Sequence, residues 1–143
     1  MEENNLIIYK NSNGDIVVDA LYKDETLWLS QKGMSKVFEC STDNISIHLK
    51  HIFEDNELDK NSVTEKCSLT ADDGKKYNTT IYSLDAIIAV GYRINSKKAT
   101  EFRIWATKIL KEYITKGFAL NDEKFINGNK YDSGYLNESN NNE

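Results

Sequence analysis

Apolar residues alternate with polar ones near the start of the chain and recur every three or four residues further on, so the pattern predicts strands first and helices later. The alternating runs 6–9 and 15–20 flank NSNG, whose Asn13-Gly14 pair offers the positive φ angles of a tight turn; a β-hairpin is expected there. A third short strand is expected over 25–28. From Ser30 the period lengthens, with Met34, Val37 and Phe38 on one helical face while Lys32 and Lys36 point elsewhere. Glu39, Cys40 and Ser41 interrupt that pattern, after which Ser41 or Thr42 can cap a second helix reaching Phe53. Its inward positions are Ile45, His48, Leu49, Ile52 and Phe53. Its outward ones are Asp43, Asn44, Ser46, Ile47, Lys50 and His51. Two short helices around a brief turn, at about 30–53, outline a helix-turn-helix, although a helical hairpin that only packs the core has the same pattern.

A second hairpin is expected at about 65–82, with ADDGKK as its turn and TTIY in its return strand. In a winged helix-turn-helix the wing occupies this place. Ser83 then caps a helix over 83–93 and Ser96 caps a longer one over 96–116, striped by Ala99, Phe102, Trp105, Ala106, Ile109, Leu110 and Tyr113. Beyond Phe118 the apolar residues thin out, so 1–120 is expected to be one domain and 121–143 a polar, asparagine-rich, disordered tail. The expected fold class is therefore α+β: two small hairpins packed against four main helices, with a helix-turn-helix, possible wing and long basic amphipathic C-terminal helix.

Charge adds a second signal. The 143 residues carry a net charge of −5, yet between 91 and 116 seven basic residues (Arg93, Lys97, Lys98, Arg103, Lys108, Lys111 and Lys116) face two acidic ones, Glu101 and Glu112, a local charge of +5. A basic island in an acidic chain is the footprint of a polyanion-binding face, and equally of a solvated helix surface. On the first reading Arg93, Lys97, Lys98, Lys108 and Lys111 contact phosphates irrespective of base sequence. On the helix-turn-helix, Asn44 is placed to pair with adenine, Ser46 to bond a base or phosphate, Lys50 and His51 to approach phosphates, and Ile47 to touch a thymine methyl group.

Other chemistries find little support. Cys40 and Cys67 have no CxxC partner, and His48 and His51 fit no HExxH spacing, so no metal site, cofactor or disulfide is expected. No GxSxG elbow, P-loop or GxGxxG is present, and neither a catalytic site nor a small-molecule substrate is expected. The start, MEENNLIIYK, is acidic, unlike a signal peptide, and AIIAV at 86–90 is far short of a membrane span. A cytoplasmic, membrane-free protein is the expectation.

Four segments, LWLSQKGMSKVF at 27–38, ISIHLKHIFEDNEL at 45–58, YSLDAIIAVGYRINS at 82–96 and EFRIWATKILKEY at 101–113, occur in an order that resembles the virulence RhuM family, bacterial proteins often encoded on pathogenicity islands and prophages. The resemblance implies a helical region similar to phage antirepressor domains of the BRO-N and KilA-N type. Two positions depart from the family pattern: Glu39 stands where glycine is usual in the turn, and Ile47 where arginine is common. Duplex DNA is the expected partner. The alternative is a protein partner, a regulator or host protein or a second copy of the chain, which the outward Ile47 and Ile104 would suit.

Overall fold

The structure, a computed structural model, describes residues 5–127. Strands β1 (Asn5–Lys10), β2 (Ile16–Lys23) and β3 (Thr26–Ser30) lead into helices α1 (Gln31–Phe38) and α2 (Thr42–Glu54). A short helix α3 (Lys60–Val63), strands β4 (Thr64–Thr70) and β5 (Lys76–Ser83), and helices α4 (Leu84–Ile94) and α5 (Ser96–Asn127) follow. The unit that carries the sheet ends at Ala106, within α5, and a second unit begins at Thr107.

The fold is α+β, with one five-stranded antiparallel sheet in the order β1-β2-β3-β5-β4. The two expected hairpins are thus not separate: β3 joins them by pairing Trp28–Ser30 with Ile81–Ser83. Both outer hairpins turn in the same way. Gly14 (φ +85) and Gly74 (φ +81) each donate a backbone hydrogen bond three residues back, to Asn11 and Ala71. Only the glycine, and not Asn13, takes the positive φ, which is a type I turn closed by a left-handed residue and not a two-residue turn. The β2–β3 turn is the two-residue kind, with Asp24 and Glu25 both at positive φ and no glycine.

Period two divides the sheet residues between two cores. Ile7, Tyr9, Ala20, Leu27 and Leu29 are buried on the helical side, with Met34, Val37, Phe38, Ile45, Leu49, Ile52, Ile87, Val90, Ala99 and Phe102 filling the space between sheet and helices. On the other side Leu21, Trp28 and Ile81 form a smaller cluster against Cys67 and Leu69. The sheet curls enough for Lys23 of β2 to pair with Glu65 of β4, two strands beyond its neighbour. Tyr9 stacks edge-on against Phe102 at 5.0 Å and Trp105 at 4.8 Å, and burial first, Glu101 second, pushes its phenol up to about 12. Glu101 also accepts from the Ser12 amide at 2.8 Å, tying the first turn of the sheet to α5. Gly91 lets α4 approach its neighbours, since a Cβ there would lie 2.6 Å from the Phe38 ring and 2.8 Å from Ala99.

Capping follows the sequence with two changes. Ser30 and Ser41 accept from the amides of Gly33 and Asn44, as N-caps should. Ser83 holds the N-cap position of α4 without a side-chain cap bond, and at α5 it is Asn95, not Ser96, whose side chain accepts from the Lys98 amide. Helix α5 also runs to Asn127, past the end expected near 116, because no proline stops it and Ala119, Leu120, Glu123 and Lys124 are good helix formers. The rest of the expected tail, 128–143, lies outside the described residues.

Candidate nucleic-acid interface

The helix pair is joined by Glu39, Cys40 and Ser41. At Glu39 the chain turns left-handed (φ 58, ψ 54), its amide bonding back to Ser35. Helix α2 ends on the same device, but there the left-handed residue is Asn56, and Glu57 donates back to Ile52. Asparagine adopts that conformation at less cost than glutamate, so the backbone at Glu39 is the more strained of the two.

Along α2, Ile45, Leu49 and Ile52 are buried. Ser46, Ile47, Lys50 and His51 are exposed and Asn44 is half-buried, so the five candidate contact residues share the uncovered side of the helix. Ile47 is 52% exposed. His48 turns inward with its Nδ1 buried and unpartnered, and burial first, then Arg93 and His51, holds its imidazole below the usual histidine range.

The basic island is less free than its letters suggest. Arg93 lies 3.3 Å from Glu57 and 3.8 Å from Asp55, at the end of α2. Lys98 lies 3.0 Å from Glu39 in the turn, and that hydrogen bond holds its ammonium above the usual lysine range. Lys97 is exposed. Lys108 and Lys111 are exposed too, but belong to the second unit. Acids from more than thirty positions away in sequence thus meet two of the three candidate cations of the first unit, an arrangement that a running charge count cannot reveal.

Two open grooves bear on the site. The larger, of 620 Å³, runs between the start of α1 and the β4–β5 hairpin, and Lys32 and Lys36 line it. The smaller, of 340 Å³, is lined by Ser46 and Lys50 of α2 together with Lys60. Gln31 and Tyr82 line both, and the Gln31 amide donates to the Tyr82 hydroxyl at 3.0 Å. Sequence reasoning passed over Lys32, Lys36 and Lys60. The four-residue spacing of the first two was a usable signal, because it places them on one helical face.

Among the described residues no group of three or more His, Cys, Asp or Glu could hold a metal ion, and no helix is long and apolar enough to cross a membrane. The Cys40 thiol is pushed up by burial. The model of the virulence protein RhuM family matches residues 62–142, more than half of the chain. The chain belongs to this family. No curated protein and no solved structure matches it. The RhuM match takes in β4, β5, α4 and α5 and leaves out α1 and α2. Any role for the helix pair must therefore be argued from its own geometry.

Proposed function

We propose that this RhuM protein is a cytoplasmic regulator that binds duplex DNA through a winged helix-turn-helix, with α2 entering the major groove. The observation that carries this reading is the connectivity around the helix pair. Strand β3, directly before α1, pairs with β5, the return strand of the hairpin that follows α2. That pairing braces a helix pair between a strand and a hairpin, as a winged helix-turn-helix requires, and a core-packing helical hairpin has no need of it. Support also comes from the uncovered side of α2, where Asn44, Ser46, Lys50 and His51 offer donors and acceptors to base edges and phosphates. The role in this reading is binding without catalysis.

Fluorescence anisotropy with labelled duplexes tests the reading. Lys50→Ala removes an exposed donor and leaves Ile45, Leu49 and Ile52 in place, so melting should not change while DNA affinity falls by about 1 kcal/mol. Unaltered affinity in a folded variant would remove α2 from the interface.

A second reading has one observation in its favour. Ile47 and Ile104 are 52% and 58% exposed on otherwise polar helix faces, and such residues suit a protein partner of the antirepressor type better than phosphate. A protein that captures no DNA at low salt, yet self-associates in an Ile47-dependent way, would fit this alternative.

A further inference from the structure

The most basic stretch of sequence is an obvious place to look for phosphate contacts, but three-dimensional charge points elsewhere. Where α4 meets α5, Arg93 is engaged by Asp55 and Glu57, and Lys98 by Glu39. A phosphate arriving there must displace carboxylates that already hold these cations.

The two grooves beside α2 present the opposite balance. Lys32 and Lys36 line the larger one and Asp72 is its single acid; Lys50 and Lys60 line the smaller and Glu54 is its single acid. Lys32 and Asp72 are 3.9 Å apart with both side chains mostly in solvent, so water and salt screen the pair and leave the lysine available. The larger groove also offers hydroxyl and amide groups from Ser30, Asn78 and Thr80, the kind of donor that meets phosphate and sugar oxygens. Gln31 and Tyr82 line both grooves, so the two grooves lie on either side of this hydrogen-bonded pair, one reaching the exposed side of α2 and the other the β4–β5 hairpin.

We propose that the larger groove is the seat of a DNA sugar-phosphate backbone, gripped by Lys32 and Lys36 of α1, while α2 faces the groove of the same duplex. The inference rests on the duplex-DNA reading above and assigns the sequence-independent part of binding to residues outside the basic island. The cations of the first helix hold the strand, and the second helix is thereby set in register against the bases.

The test is the salt dependence of anisotropy with a short random-sequence duplex, using the full chain. Lys32→Ala with Lys36→Ala should make the slope of log affinity against log salt shallower by ~1.8, at about 0.9 for each phosphate that the protein no longer neutralises. Both lysines are exposed, so circular dichroism and melting should match the unaltered protein. Lys98→Ala should leave the slope where it was. A Lys32/Lys36 variant with an unchanged slope, beside a Lys97/Lys108/Lys111 alanine variant with a flattened one, would overturn the inference and return the phosphate contacts to α5, with the DNA reading intact. Absence of salt-dependent binding by the unaltered protein would overturn both.

Discussion

Glu39 shows how one residue can serve two opposed demands. Its backbone must turn left-handed to end α1, at a cost of about 1–2 kcal/mol for a residue with a Cβ, while its carboxylate gains Lys98 at 3.0 Å. Both side chains are partly exposed, so the pair contributes a few tenths of a kcal/mol at most and the backbone cost dominates. Glu39→Gly should therefore raise stability by about 0.5–1 kcal/mol in a denaturant titration, despite losing the ion pair. Glu39→Gln keeps the strained backbone and should leave stability level or slightly lower. The same replacement by glycine frees Lys98, so a gain in nonspecific DNA affinity would show that this lysine can serve DNA once its acid is gone. The break in the helical pattern at this position was legible, but its left-handed backbone was not expected, nor was its partner, since Lys98 is 59 positions further along the sequence.

At the scale of elements, the contact between α2 and α4 carries a titration. His48 of α2 points inward with an unpartnered Nδ1, and desolvation, Arg93 and His51 all disfavour its charged form. The folded state therefore binds a proton less readily than the unfolded chain, whose histidine titrates near its ordinary 6.5. Stability is unaffected well above that pH and is lost progressively as pH falls from about 6.5 through the depressed folded value. Melting temperatures over this range should fall for the natural protein and fall less for His48→Gln. Parallel curves would place the acid sensitivity in carboxylates. Elements themselves were largely readable: the alternation of β1 and β2, the Ser41 cap, and Ile45, Leu49 and Ile52 of α2 lie where period and capping rules put them, while His48 and Phe53, expected inward, are half-buried. What escaped was long-range. Three residues of β3 pair with three of β5 and fuse two hairpins into one sheet, and no local period encodes that register. The extension of α5 to Asn127 escaped for the opposite reason, since polar composition suggested a tail where helix propensity sufficed.

On the scale of the whole molecule, a chain of net charge −5 repels DNA at a distance and can hold it only where cations locally outnumber acids. The grooves lined by Lys32 and Lys36 and by Lys50 and Lys60, each with a single acid, are such places, and Ile47 stands on the exposed side of α2 next to Ser46 and three residues before Lys50. Ile47→Arg adds a cation there, four residues after Asp43, whose carboxylate can steady it along the helix. Ile47 is more than half exposed and is not among the buried residues of α2, so folding stability should stay within about 0.5 kcal/mol. If α2 lies in a major groove, the new guanidinium gains a phosphate or a guanine edge, and duplex affinity should rise by ~1 kcal/mol or more, with the largest gain on sites that place guanine opposite position 47. A protein interface predicts a different outcome. There an arginine would bury a charge in an apolar contact, leave DNA affinity unchanged, and abolish self-association or partner capture by this same face. The DNA reading expects tighter duplex binding and the protein reading expects lost association, so one variant separates a DNA-reading helix from a helix of the same shape that reads a protein.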